Sequence, residues 1–327
     1  MKGARCGAWP ALVGGSVLAA CAAPPVAKPA DLTDLGPRIA VHCAGEPFAE
    51  YRRDGARPVL WPLYAPGGIT VTRAFPFAEV AGEPHDHPAQ QSVWFGHGAM
   101  NGVDFWGASG QTAGQTAGQT GSQVGGQVVE QELSIDSSHG ELRGISSWRS
   151  GGREVCRDFH RYGFTWGDGW RAVDVDITLV ASEGDLVLGD DGGGTFGLRL
   201  RPELALRGEA ASGSIRDSEG HRDLDVWGKR ARWVAYAGTV KGAQVVVAVF
   251  DHPDNHGHPT HWHARDYGLL AANPFALHDF TGSPAGTGAL TVPAGGQLRL
   301  RYRIWLATGP GQIDRVDAAW QEFAAVR

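Results

Sequence analysis

The sequence predicts an all-β protein, a large antiparallel β-sandwich with one helix at its C-terminal end, on three observations. Short segments rich in Val, Ile, Phe, Tyr and Trp recur along the chain, separated by Gly, Pro, Asn and Asp. Several alternate strictly: Val173, Val175, Ile177 and Leu179 fall on one face of their segment and Asp174, Asp176 and Thr178 on the other, as a half-buried strand requires. Glycine (48) and proline (19) make up about a fifth of the 327 residues, which speaks against coiled coil and helical bundle.

Strands are expected at residues 59–64, 69–75, 127–135, 141–149, 171–180, 232–240, 244–250 and 297–306. The helix is expected at 312–326, where Ile313, Val316, Trp320 and Phe323 recur at spacings of three and four. No break in composition divides residues 38–327, so they are expected to form a single domain. Residues 107–127 repeat Gln-Thr-Ala-Gly, cannot bury enough apolar area to offset their ordering entropy, and are expected to form a disordered loop.

The first 20 residues combine Lys2 and Arg5 with a short apolar run, and Leu18-Ala19-Ala20-Cys21 follows. This resembles a bacterial lipoprotein signal, which implies that Cys21 carries lipid and that residues 21–37, rich in Ala and Pro, tether the domain. A plain secretory signal with Cys21 incidental is the alternative. No later segment reaches the ~20 apolar residues that cross a bilayer, so contact with the membrane is expected through the N-terminal lipid only and the domain is placed outside the cytoplasm. Cys43 and Cys156 then remain, either paired or as two buried thiols. Net charge is -6, and -8 once Lys2 and Arg5 leave with residues 1–20. Such a chain offers phosphate backbones no basic field, and nucleic acid is not an expected partner.

Of thirteen histidines, three lie within residues 85–97 and six within 252–278. If the chain at 85–87 is extended, His85 and His87 point to one side and can supply two metal ligands or an acid and a base. The plainer reading is a polar turn between Pro84 and Pro88. His261 and His263 repeat that spacing around Trp262, after an apolar strand, and Arg265 adds a rigid donor fork suited to a carboxylate or a sugar hydroxyl pair. Here the plainer reading is a loop of solvated histidines. His87, His97, His261 and His263, with Asp86 or Asp104, would suit zinc, copper or iron if they met in space. Trp94, Trp106 and Trp262 suit stacking on sugar rings, although most of the twelve tryptophans belong in a core.

The stretches Val71-Thr-Arg-Ala-Phe-Pro-Phe, His85-Asp-His-Pro, Val93-Trp-Phe-Gly-His97-Gly, Asn101-Gly-Val-Asp-Phe-Trp106, Phe250-Asp-His-Pro-Asp-Asn and Pro259-Thr-His-Trp-His-Ala-Arg265-Asp-Tyr-Gly-Leu, with Ala272-Asn-Pro-Phe275, are similar to the bacterial PmoA-like family of unknown function. The similarity runs over about residues 45–306. It implies an exported β-rich protein that accompanies sugar-degrading enzymes, with a mutarotase-like supersandwich as one form the fold could take. The family pattern has two further histidines where this chain has Ala89 and Gln90, and often an acidic residue where it has Gly193, with Asp190 and Asp191 as nearby substitutes.

The leading expectation is a carbohydrate-active enzyme using acid–base chemistry on a glycoside or oxidised sugar. His87 and His97 form the expected acid–base pair, Asp104 orients them, and His261 and His263 complete the catalytic group. His85, Asn101, Trp106, Asn255, Trp262 and Arg265 are expected to bind a small-molecule or oligosaccharide ligand. A metal-dependent oxidoreductase, the class named by a label the family bears, and a non-catalytic sugar-binding lipoprotein are the alternatives. The cofactor is unassigned, with a transition metal as the candidate.

Overall fold

The computed structural model describes residues 27–107 and 124–326. The expected signal, Cys21 and most of the 107–127 loop lie outside the described residues. Two antiparallel sheets dominate. The first runs in the order Gln127–Asp136, Glu141–Ser150, Arg153–Gly167, Trp170–Val180, Gln297–Thr308, Ala243–Asp251, Trp233–Val240 and Ser214–Asp217. The second runs Trp262–Ala264, Leu269–Ala272, Gly194–Arg199, Val93–His97, Val59–Ala65, Glu46–Arg52, Arg38–Cys43 and Asp31–Asp34.

Aromatic pairs join the sheets face to face. Phe48 meets Phe164 edge-on with ring centroids 5.7 Å apart, and Phe196 stacks on Tyr302 at 4.9 Å. The strand Ala243–Asp251 is apolar from Val245 to Phe250 because both its faces are covered there. Val245, Val247 and Val249 enter the core between the sheets, while Val246, Ala248 and Phe250 pack with Val316 and Phe323 of the C-terminal helix. That helix spans Val316–Ala324 after a 3-10 turn at Gln312–Arg315, as its apolar spacing predicts.

Two expectations need correction. The segment expected as a tether reaches into the sandwich: Lys28–Pro29 pairs with Arg153–Gly167 and Asp31–Asp34 with Arg38–Cys43. Ala30 (1% exposed) and Leu32 (9%) anchor it in the core. The strand expected at 69–75 is regular only over Ile69–Thr70; Val71–Arg73 make isolated bonds to Leu63, Arg199 and Arg201, and the N–H groups of Ala74 and Phe75 donate to Glu83 instead of to a neighbouring strand. Cys43 and Cys156 are free, buried thiols. Among the described residues no helix is long and apolar enough to cross a membrane.

Candidate functional site

Strand alternation divides the second sheet into two faces. Val93, Phe95, Phe196 and Leu198 point into the core between the sheets. Trp94 and Ala271 point the other way and pack with Trp106 and Tyr267. Glycine lets Trp106 lie flat on this outer face. A Cβ on Gly197 would sit 2.7 Å from Trp106 Cη2 and 2.8 Å from Trp94 Cζ2.

Three buried guanidiniums hold the loops on this face. Arg57, 1% exposed, donates to the carbonyls of Phe105, Trp106 and Ala89, so it ties the Trp106 segment to the His85–Gln90 loop. Arg73 donates to the carbonyls of Pro84 (3.1 Å), Asp86 (2.8 Å), His87 (3.1 Å) and Gln90 (3.2 Å), and to Asp86 Oδ1 at 2.5 Å. Arg199 reaches the same Oδ1 at 2.7 Å and Gln90 Oε1 at 2.5 Å. Burial lowers the Arg57 guanidinium to about 9 and, with Arg199 beside it, Arg73 to about 10, so both stay charged at neutral pH.

These charges fix an aspartate–histidine dyad. Burial alone would raise the Asp86 carboxyl, but hydrogen bonds from His87 and Arg199 and the charges of Arg199 and Arg73 hold it well below the usual carboxylate range. His87 Nδ1 lies 2.9 Å from Asp86 Oδ2. An ionised carboxylate can only accept, so this nitrogen carries a proton and Nε2 is the nitrogen turned away from the carboxylate. The His87 ring lies on Tyr267, which also carries Arg199 Cζ 4.4 Å from its centroid. The two histidine-rich stretches therefore meet, through Tyr267.

His263 occupies the same outer face, one strand further along. Burial, then the neighbouring guanidinium of Arg265, lower its imidazole to about 4, more than the bond at 3.3 Å to the Gly192 carbonyl raises it. It is neutral at physiological pH. Its ring and that of His261 both pack on Phe280, with centroids 6.0 and 5.6 Å away, and Trp227 adds a third aromatic wall. His261 donates through Nδ1 to the Gly228 carbonyl at 2.8 Å.

Other expected site residues lie elsewhere. His97 is fully buried on the inner face, donates through Nε2 to the Gly189 carbonyl at 2.8 Å, and is lowered to about 4 by burial. It cannot pair with His87 across the sheet. Asp104 accepts from its own turn, Gly107 N–H at 2.8 Å, so the orienting carboxylate is Asp86. Asn101, at φ 48°, clamps a turn to Asp185 and Val187. Asn255, 6% exposed, spends its amide on Asp251, the Arg301 carbonyl and the Arg301 N–H. Trp262 is core and donates to the Ala231 carbonyl.

His85 stacks on Phe75 and pairs with Glu79, away from His87, because His87 takes φ 43° and the chain there is not extended. Trp106, His87, His261, His263 and Arg265 remain on the site face. With His97 on the opposite side, the four histidines expected to share a metal do not converge. Among the described residues no three His, Cys, Asp or Glu side chains could hold one. The donor set does not fit a resident transition metal. Tyr267 and the buried arginines escaped sequence reasoning, and only the adjacency of Asp86 and His87 signalled the dyad.

A model of the family of unknown function DUF6807 matches residues 38–321. No curated protein matches the chain. Among solved structures, a galactose mutarotase-like protein from Lactobacillus casei ATCC 334 is 9% identical, with a TM-score of 0.33 over 85% of this chain and 99% of that one. An alpha-galactosidase from Lactobacillus brevis is 10% identical, with a TM-score of 0.36 over 87% of this chain and 39% of that one. A 4-alpha-glucanotransferase from Thermococcus litoralis is 7% identical, with a TM-score of 0.28 over 87% and 40%.

Proposed function

The chain belongs to that family of unknown function, and from this premise we propose that it is an exported, lipid-anchored protein acting on a glycoside or oxidised sugar by histidine acid–base chemistry. One observation carries the reading: the Asp86–His87 dyad, stacked on Tyr267, shares a sheet face with the neutral imidazole of His263 and the indole of Trp106. His87 Nε2 takes a proton from a sugar hydroxyl or an activated C–H, and Asp86 steadies the imidazolium that results. His263, kept uncharged, offers a hydrogen bond to a sugar hydroxyl, and Trp106 offers an apolar face to a pyranose ring.

The test is turnover of a panel of glycosides and 3-keto-glycosides by the purified chain. His87→Ala is expected to lower the rate about 100-fold, the ordinary worth of a positioned base. No turnover on any member, or an unaffected His87→Ala variant, rejects the enzymatic reading.

A second reading, non-catalytic sugar binding, is favoured by the openness of the site: the His87 side chain is 38% exposed. Oligosaccharide binding by calorimetry with an unchanged product profile supports it over the first. Lipid anchoring rests on Cys21 and predicts that Cys21→Ser abolishes incorporation of labelled fatty acid and releases the protein from membranes.

A further inference from the structure

We infer that the saccharide taken at this site carries a carboxylate, gripped by the guanidinium of Arg265 beside Tyr267. The inference rests on the saccharide reading above and names the ligand class more narrowly.

Among the described residues, Arg265 makes no side-chain hydrogen bond or ion pair, although it is half-buried. The other arginines of this face are engaged through their terminal nitrogens, each leaving only a buried Nε without a partner: Arg57 by three carbonyls, Arg73 by Asp86 and four carbonyls, Arg199 by Asp86 and Gln90. Asp266, next in sequence, turns away to Arg207 at 3.1 Å. The backbone under Arg265 is fixed, since its N–H donates to the Leu269 carbonyl at 2.8 Å and its carbonyl accepts from Tyr236 Oη at 2.9 Å. The guanidinium lies 5.8 Å from the Tyr267 centroid and within electrostatic reach of His263.

Charge points the same way. Arg73 and Arg199 share the Asp86 carboxylate and Arg57 feels Asp104 without a hydrogen bond to it, while nearby Glu83 is committed to the N–H groups of Ala74 and Phe75. Arg265 adds a further cation without an acceptor. A neutral sugar would leave that half-buried guanidinium poorly solvated. A uronate presents two coplanar oxygens that match the fork in a bidentate pair and relieve the surplus charge.

Calorimetry on the mature chain with methyl glucuronide and methyl galacturonide, against the corresponding neutral methyl glucoside and galactoside, tests this. At least one uronide is expected to bind tenfold or more tightly than its neutral counterpart. Arg265→Gln should abolish the difference and Arg265→Lys retain part of it, with the melting temperature unchanged in both. Equal affinity for neutral and acidic sugars, or a preference that survives Arg265→Gln, overturns the inference and leaves the saccharide reading standing. Binding of neither class overturns both.

Discussion

The imidazole of His87 lies parallel to the ring of Tyr267, with planes 8° apart and centroids 5.1 Å apart, although 180 positions separate the two residues in the chain. The same phenol ring supports Arg199, so it braces both the base and one of the cations that keep Asp86 ionised. The ring, not the hydroxyl, supplies this: Oη has one contact, Gln90 Nε2 at 3.5 Å. Tyr267→Phe should behave like the native protein. Tyr267→Ala should lose about 1 kcal/mol of stability with the cation–π contact and, where the chain turns over a sugar, roughly tenfold in rate as His87 loses its orientation. Melting curves and steady-state rates on the three proteins check this, and a Tyr267→Phe variant as impaired as Tyr267→Ala would refute it.

A second histidine network, remote from the site, governs stability against pH. Tyr51 Oη donates to Glu130 Oε2 at 2.6 Å, and His160 Nδ1 lies 2.7 Å from Asp158 Oδ1, all between the sheets. Burial alone would lower the His160 imidazole, but the hydrogen bonds and charges of Asp158 and Glu130 outweigh it and raise it to about 9. A group raised above its unfolded value stabilises the fold fully below that value and loses the contribution as pH climbs through the folded one. The unfolding free energy should therefore fall between about pH 6.5 and pH 9–10, by an amount on the order of 3 kcal/mol, and the denaturation midpoint with it. His160→Gln should flatten the profile over this window. A native midpoint constant across it would contradict the assignment.

Much of the sandwich was legible because alternation survives where one strand face is wet, as in Trp170–Val180. The longest strand, Arg153–Gly167, was not, since its inward Asp158 and His160 are polar and satisfy each other inside. Its apolar period is thereby broken. The Gly194–Arg199 strand hides for another reason: its glycines make room for His97, Trp94 and Trp106 instead of adding apolar bulk. At the site, clustering of imidazoles and the Asp86–His87 adjacency could be read. Which face His97 takes depends on strand register, and a buried arginine such as Arg73 is indistinguishable in sequence from a solvated one.

Asn255 separates a structural from a ligand-binding role. Its side chain donates to Asp251 Oδ1 at 2.8 Å and to the Arg301 carbonyl at 2.7 Å, and accepts from the Arg301 N–H at 2.7 Å. Asn255→Ala leaves Asp251 Oδ1 and the Arg301 N–H without this partner, while the Arg301 carbonyl keeps the His252 N–H, at a cost of about 2–4 kcal/mol. Sugar affinity should not change, because the amide lies against Gln297–Thr308 of the first sheet and not on the outer face of the second. Chemical denaturation and calorimetry on one preparation decide the matter, and weakened binding at unchanged stability would reverse it.

Gly197 tests whether the outer face takes a ligand at Trp106. An added methyl would come within 2.7 Å of one indole and 2.8 Å of the other, closer than carbon atoms approach without displacement. Trp94 is buried and braced by the Arg57 guanidinium 5.4 Å from its ring, so the half-exposed Trp106 is the one that must lift. Gly197→Ala should then cost about 1–3 kcal/mol, the usual price of overpacking, and change tryptophan emission. Saccharide affinity should drop well beyond what the stability loss explains, because the platform no longer lies flat. A comparable overpacking at Gly213, where a Cβ would meet the Leu204 carbonyl oxygen at 2.2 Å, is the control. Gly213→Ala should destabilise without altering affinity, and equal binding losses in both variants would show that Trp106 has no part in holding the sugar.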